Sequence, residues 1–145
     1  MKLRAIIIGT AAALGGTGAF LLPASANPRV ATHTLTFTAI QQASMTFSRT
    51  SNASSDKDVS RAGKVIGYDL VRVAFNPKTG HASGGVTLVT AGGFLYGVLH
   101  LTRNPVLHGT VTGGTGAFHG ATGTITAKPL DHSGHRTAVT IKYHT

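Results

Sequence analysis

One aspartate in this sequence stands where its carboxyl group could carry acid–base chemistry. Asp69 lies within Lys64–Phe75, where it shares one face of a predicted strand with Val65, Val71 and Val73 because successive side chains of a strand point to opposite faces. A carboxyl group in an apolar cavity has its ionised form disfavoured by desolvation, which raises its pKa and suits it to give or take a proton. The pattern predicts Asp69 as a catalytic acid or base.

A structural role for Asp69 is the alternative. It could pair with Arg72 or Arg103, or it could cap a turn. The sequence has four acidic residues and none of them is a glutamate, so a mechanism that needs paired glutamates is excluded.

The run Phe94–Thr102 carries two polar candidates for contact with a ligand. Tyr96 and His100 alternate in phase with Val98, so the three side chains share one face. If that face points into the fold, Tyr96 and His100 are natural partners for a bound molecule, and if it points outward they are surface residues. Both alternatives remain open, and Tyr68 is a third candidate for substrate binding.

The eight histidines raise the question of a metal site. Potential ligands come close together in Asp131–His135, but this stretch has the composition of a turn and lacks the helix on which histidines at such spacing converge. The chain has no cysteine, which excludes thiol catalysis and cysteine-ligated metals. We therefore predict no metal and no other cofactor.

Charge limits the macromolecular partners. The formal net charge is +9, but the basic residues are scattered singly and no stripe of alternating basic and aromatic residues is present. This pattern argues against specific recognition of nucleic acid. It allows a loose association with an anionic cell envelope.

The N-terminus is typical of an export signal. Lys2 and Arg4 precede the apolar run Ala5–Leu22, and small residues up to Ala26 provide a cleavage motif. We predict a signal peptide over residues 1–26, a single domain over 27–145 and a secreted protein, and the cysteine-free chain favours a bacterial origin. Retention of the segment as a membrane anchor is the alternative.

The rest of the chain has the composition of an all-β protein. Threonine, valine and glycine dominate, no helical periodicity stands out, and turn residues recur at short intervals. The polar stretch Ser48–Ser60 is predicted to be a mobile loop that holds Asp56 and Asp58 in a solvated turn. Strands are expected over Thr32–Phe47, Lys64–Phe75, Val86–Thr90, Phe94–Thr102, Leu107–Thr112, Ala121–Lys128 and Thr137–Tyr143.

Short connections between consecutive strands favour an antiparallel meander. A bend in the long first segment would bring the number of strands to eight, and such a meander can close into a barrel with room for one small ligand. A β-sandwich is the structural alternative.

The string GGTGAF occurs at Gly15–Phe20, inside the predicted signal, and again at Gly113–Phe118. A dinucleotide fingerprint would require a glycine where the second copy is followed by His119, and a helix after it. A phosphate-binding loop would require a lysine after Gly116, where Ala117 stands. Both nucleotide interpretations fail, which leaves a glycine-rich hairpin.

The whole stretch VTGGTGAFHGATG, Val111–Gly123, resembles the signature of the allene oxide cyclase and dirigent proteins. Gly63–Tyr68 and Val139–Tyr143 are similar to two further strands of that family, in the right order. The resemblance implies an antiparallel eight-stranded closed barrel, often a homo-oligomer, that cradles a small hydrophobic molecule and steers its cyclisation or coupling. It also implies a structural role for the glycine loop (Gly113, Gly114, Gly116 and Gly120), with Phe118 closing one end of the core.

This sequence departs from the plant cyclases at their reactive groups. Thr32–Ala43 lacks the acid of their first strand, and Asp69 stands where they have a pocket cysteine. The resemblance offers an alternative to the solvated turn for Asp56 and Asp58, because the family often has an acidic rim at this loop. We therefore expect an isomerase-like barrel that binds a small hydrophobic molecule, without allene oxide cyclisation itself. The alternative is a non-enzymatic binding module or an envelope-associated module whose interior is filled by side chains.

Overall fold

A computed structural model describes residues 31–101 and 105–145, and these residues form eight strands and one short 3-10 helix. The predicted signal segment and Arg103 lie outside the described residues. Among the described residues, no helix has the length and apolar character needed to cross a membrane. In chain order the elements are β1 (His33–Ser48), β2 (Ser51–Val59), β3 (Val65–Asn76), β4 (His81–Thr90), β5 (Gly93–Leu101), β6 (Leu107–Gly114), the 3-10 helix (Gly116–Phe118), β7 (Thr122–Pro129) and β8 (Arg136–His144).

The strands form one closed antiparallel barrel. Each strand pairs with the next along the chain, and β8 returns to pair with β1 from His33 opposite Tyr143 to Ile40 opposite Arg136. Closure removes both sheet edges, whose unpaired backbone groups would otherwise be exposed. The prediction of a closed eight-stranded barrel is confirmed, and the sandwich alternative is excluded.

The polar stretch that was predicted to be a loop forms β2, so that prediction was wrong. Its residues pair with β1 on one side, ending at Ser48 opposite Ser51, and with β3 on the other. Serine and aspartate have low strand propensity, but hydrogen-bonded pairing with strands on both sides overrides it. The eighth strand therefore comes from this stretch and not from a bend in the first segment.

Alternation along each strand defines the interior. On β5, Leu95, Gly97 and Leu99 are buried while the residues that alternate with them are more exposed, and β7 and β8 show the same period of two. The buried apolar side chains of all these strands meet in one cluster along the barrel axis: Phe37, Ala39, Leu88, Leu95, Leu99, Val111, Phe118, Ala121, Ile125, Ala127, Val139, Ile141 and Tyr143.

The second GGTGAF string closes one end of the barrel. The backbone N–H of Ala117 donates to the carbonyl oxygen of Gly92 at 2.8 Å, which ties the loop to the turn between β4 and β5. Gly116 has φ +59°, and a Cβ there would collide with the Gly92 oxygen, so glycine is required on both counts. The Phe118 ring packs edge-on against Tyr143, with 5.6 Å between the ring centroids.

Candidate functional site

A cavity of about 170 Å³ lies inside the barrel, on the side away from Phe118. It extends towards the barrel end at which Gly134, in the turn between β7 and β8, and Thr137, near the start of β8, line it, and it is partly open to solvent. Most of its wall is aliphatic or aromatic. The polar part of the wall comes from β2 and β3, which contribute Ser54, Asp56 and Asp69.

The sheet register brings three of the four acidic residues together. Asp56 on β2 is directly opposite Asp69 on β3, and Asp58, two residues further along β2, is opposite Gly67. Because side chains two residues apart share a face, all three carboxyl groups point inward. Directly opposite Cβ atoms lie about 4.5–5.5 Å apart, so Asp56 and Asp69 are in reach of each other. We call these three residues the acidic cluster.

The acidic cluster is removed from water. Asp58 is 0% exposed and Asp69 is 4% exposed, whereas Asp56 is partly accessible from the cavity. Four of the carboxyl oxygens find no hydrogen-bond donor in the described part of the protein: Asp56 Oδ1, Asp58 Oδ1, Asp58 Oδ2 and Asp69 Oδ1. Buried polar atoms are nearly always hydrogen-bonded in folded proteins, so this deficit marks the cluster as unusual.

Burial and mutual repulsion shift the cluster towards its protonated forms. Desolvation, reinforced by the charges of Asp58 and Asp56, raises the pKa of Asp69 to about 8. Desolvation also raises the pKa of Asp58 to about 7, and it raises the pKa of Asp56. A proton on Asp69 allows its carboxyl group to donate a hydrogen bond to Asp58 or Asp56. At neutral pH the cluster therefore holds protons that three isolated aspartates would have lost.

Among the described residues that line the cavity, no basic side chain offsets the acidic cluster. Arg72, one of the two ion-pair partners considered for Asp69, is exposed on the outer face, and its guanidinium carbon lies 5.8 Å from the centroid of the Phe47 ring. The other, Arg103, lies outside the described residues. The cluster thus faces an apolar cavity, and its carboxyl oxygens can accept further hydrogen bonds.

Such a site can perform acid–base chemistry. A carboxylic acid whose pKa lies near the working pH can donate a proton or a hydrogen bond to a ligand and can take a proton back. A second carboxyl group in contact with it can hold the charge that this transfer creates. The low-dielectric wall strengthens each of these interactions relative to water.

The three residues predicted to bind substrate lie on the outer surface of the barrel. Tyr68 is 55% exposed, Tyr96 is 38% exposed and stacks on Phe94, and His100 is exposed beside His108 on the next strand. None of the three lines the cavity. This placement corrects the prediction that they contact a molecule held inside.

The phase of each strand explains this outward placement. On β5 the buried leucines, Leu95 and Leu99, occupy the inward phase, which turns Tyr96 and His100 outward. On β3 the inward phase belongs to Asp69, so Tyr68, its neighbour in the sequence, must point away. The same phase places the Asp69 side chain inside the barrel.

Sequence reasoning missed Asp56 and Asp58 as parts of the site. The signal was present as a period of two: Ser54, Asp56 and Asp58 alternate along β2, and each of them faces inward. The pattern was hidden because the intervening residues are also polar. Only the pairing of β2 with β3 shows which of these side chains meet Asp69.

The Asp131–His135 turn makes an ordinary set of turn contacts. Asp131 Oδ1 accepts hydrogen bonds from the Ser133 hydroxyl at 2.9 Å and from the His135 backbone N–H at 3.0 Å, and the contact with Ser133 lowers the pKa of Asp131. Within residues 31–101 and 105–145, no group of three or more histidine and acidic side chains is arranged to hold a metal ion.

Comparison with solved structures places this barrel among known ones. A pterocarpan synthase dirigent protein superposes with a TM-score of 0.64 at 16% sequence identity, over 88% of this chain and 98% of that one. This chain therefore has the fold of the dirigent protein, a closed barrel of eight antiparallel strands. No protein-family model matches the sequence, and no curated protein matches it.

Two further solved structures share the dirigent-like barrel. The exo-specific intermolecular Diels–Alderase AbnU superposes with a TM-score of 0.66 at 10% identity, over 79% of this chain and 99% of that one. A pyocyanin demethylase superposes with a TM-score of 0.65 at 18% identity, over 77% and 99% of the two chains. At these identities the likeness concerns the fold alone.

Proposed function

We propose that this barrel binds a small hydrophobic molecule in its cavity and steers a cyclisation or coupling of that molecule, with Asp69 as the general acid or base. The observation that carries the proposal is a carboxyl group, 4% exposed and with an unpartnered oxygen, at the wall of an otherwise apolar cavity. A buried group with a shifted pKa inside a pocket is a typical feature of a catalytic site.

The cavity volume limits the part of the ligand that is enclosed. A dry cavity of about 150 Å³ holds one benzene molecule, so the 170 Å³ found here accommodates a single ring with a small substituent. A larger substrate would extend through the end at Gly134 and Thr137. The enclosed ring would be the part whose conformation the wall controls.

Steering in such a site has two components. The rigid aliphatic and aromatic wall, including Phe37, Leu88 and Ile141, limits the conformations of the bound molecule, which lowers the entropic part of the barrier. Asp69 in its acid form donates a hydrogen bond to an oxygen or nitrogen of the substrate and polarises it, and Asp56 accepts from a donor on the same molecule. Two solved barrels of this fold carry the names of a Diels–Alderase and a dirigent protein, which supports the choice of this reaction class.

A second candidate function, a binding module without catalysis, is favoured by the size of the cavity. At 170 Å³ it is smaller than most ligand pockets, which measure about 300–1,000 Å³, because side chains fill much of the barrel. Export from the cell, a loose association with an anionic envelope and assembly into a homo-oligomer belong to the proposal for both candidates. The apolar N-terminal run supports export, and the basic net charge supports the association with an anionic envelope. The resemblance to the dirigent family supports assembly into a homo-oligomer.

The test begins with the native ligand. Mass spectrometry of small molecules that co-purify with the secreted protein should identify a compound with an apolar ring. The Asp69→Asn variant should reduce its conversion by about 100-fold or more if Asp69 is the acid or base. The matched control is Asp131→Asn, the same chemical change in an exposed turn, which should convert the compound at the wild-type rate.

Two outcomes separate the candidate functions. Binding of the compound without any conversion by the wild type would favour the binding module. A barrel that retains no compound, and that binds no small apolar ring in titrations, would contradict both candidates.

A further inference from the structure

The acidic cluster has no basic side chain to balance its carboxyl groups among the described residues that line the cavity. The chain has 13 basic and four acidic residues, yet three of the four acids face one another in the barrel and no described cavity residue is basic. Asp69 is more than nine-tenths buried and lines the cavity, and its Oδ1 has no donor in the described part of the protein. A buried carboxylate needs a counter-ion, a set of donors or a proton.

We propose that the molecule bound in the cavity carries a cationic nitrogen, which lies against Asp56 and Asp69 while its ring packs on the apolar wall. This inference rests on the proposed function and names its substrate class: small ring compounds with a quaternary or protonated nitrogen. The ligand would supply the positive charge that the cavity-lining residues of β2 and β3 lack.

The geometry favours a cation of low hydration. Asp56 and Asp69 approach the cavity from one side only, and the remaining wall is apolar, so an ion that needs a full shell of oxygen ligands would be poorly satisfied. A cationic ring spreads its charge over an apolar surface and needs few hydrogen bonds. Its nitrogen matches the carboxyl groups of Asp56 and Asp69, and the rest of the ring matches the apolar wall.

Proton linkage gives this inference a distinctive signature. The carboxyl groups that face Asp69 from the neighbouring strand are Asp56 and Asp58, and the β4 residues that line the cavity, Val86 and Leu88, do not ionise. A bound cation stabilises the ionised form of the cluster and displaces a proton, so its affinity increases as the pH rises. In this state Asp69 is a carboxylate, and the general-base form of the proposed function applies.

The experiment compares two probes of the same shape. N-methylpyridinium and toluene are isosteric, and only the first is charged, at every pH. Both are titrated into the purified protein, with chemical shifts of the Ile125 and Ile141 methyl groups, which line the cavity, as the readout. At about pH 9, N-methylpyridinium should bind at least about 10-fold more tightly than toluene. Its affinity should fall by about 10-fold at pH 6, whereas the affinity of toluene should not fall on acidification.

Variants of the cluster complete the test. Asp69→Asn and, independently, Asp56→Asn should each weaken binding of N-methylpyridinium by about 10-fold at pH 9 and leave toluene within about twofold. The matched control, Asp131→Asn, should leave both affinities unchanged. Two separate variants keep the test decisive if one of them fails to fold.

The outcomes distinguish this inference from the proposed function on which it rests. If toluene binds as tightly as N-methylpyridinium at pH 9, or if neither variant weakens the cation, the inference is overturned while the binding function of the cavity stands. If neither probe shifts the Ile125 and Ile141 methyl signals, the inference and the proposed function fail together.

Discussion

The closed end of the barrel and its acidic wall differ in how well their polar groups are hydrogen-bonded. At the closed end the backbone N–H groups of Thr115 and Ala117 each have a carbonyl partner at 2.8 Å, and Phe118 fills the space beneath them. At the acidic wall, Asp58 is 0% exposed, and its carboxyl oxygens have no donor in the described part of the protein other than a proton on Asp69.

This difference separates a region that stabilises the fold from one whose unpaired carboxyl groups weaken it. An unpaired polar group in the interior typically costs about 1–3 kcal/mol of stability, and the cost is greater for a charged group. A wall that carries three such groups weakens the fold unless a proton or a ligand compensates for them. The comparison can be tested by perturbing each region in turn.

Phe118→Ala, at the closed end, should produce the largest loss of stability. Removal of a buried phenylalanine side chain leaves a cavity and typically costs about 3–5 kcal/mol. Chemical denaturation monitored by circular dichroism would measure the loss. Phe94→Ala is the matched control, because Phe94 is substantially exposed and should cost about 1 kcal/mol or less. Equal losses of stability at the two positions would contradict the conclusion that the Phe118 side chain closes the end of the barrel.

The acidic wall should make the wild type less stable as the pH rises. Asp58 and Asp69 have pKa values raised from 3.8 to about 7 and about 8, so between these limits the folded protein binds protons that the unfolded chain has released. This contribution to stability is fully present below about pH 4 and is lost as the pH rises through about 7 and 8. The loss begins at about pH 4, and since one pKa unit corresponds to about 1.4 kcal/mol, the part of it that falls above about pH 6.5 is about 3 kcal/mol.

Thermal unfolding at several pH values above about 6.5 would measure this loss apart from most of the protonation of exposed histidines. The Asp69→Asn variant provides the comparison, because an amide does not ionise and its unfolding temperature should depend less on pH. Parallel curves for the two proteins would show that Asp69 does not titrate inside the barrel.

Asp58→Asn should stabilise the protein at alkaline pH by about 1–2 kcal/mol, a smaller effect of opposite sign. The amide removes one buried charge and supplies two N–H donors, which can satisfy carboxylate oxygens of the acidic cluster. The free energy of unfolding in urea at about pH 9 would reveal the gain. Asp131→Asn is the control, since Asp131 already accepts two hydrogen bonds in an exposed turn. Destabilisation by Asp58→Asn at that pH would mean that the carboxylate has a favourable role in the fold.

Much of the architecture could be predicted from the sequence because it depends on local signals. Alternation around Asp69 predicted its inward phase, and the residues of the glycine loop indicated the family of barrels. The inward face of β5 was harder to predict, because both faces of the strand carry large side chains. Phe94 and Tyr96 lie on one face, and Leu95 and Leu99 lie on the other. Burial by the neighbouring strands, which no single strand encodes, decides between such faces.

The site itself depended on long-range pairing. Asp56 and Asp69 are separated by a turn, and only the register between β2 and β3 places them directly opposite each other. A shift of one residue would have turned Asp56 to the solvent. Because β2 was predicted to be a loop, its two inward aspartates were placed in a solvated turn or an acidic rim, and their contact with Asp69 inside the barrel could not be anticipated.

The smallest effects should come from the outer wall, and the neighbours Leu95 and Tyr96 provide the sharpest contrast. Leu95 lines the cavity, so Leu95→Ala should enlarge it and change the affinity for toluene by about fivefold or more. Tyr96 points away from the cavity, so Tyr96→Ala should leave that affinity within about twofold and should cost less than about 1 kcal/mol of stability. Titrations with the methyl signals of Ile125 as the readout would compare the two. A loss of affinity in Tyr96→Ala as large as that in Leu95→Ala would show that the ligand binds on the outer face, where the exposed aromatic rings of β5 lie, and not among the carboxyl groups inside.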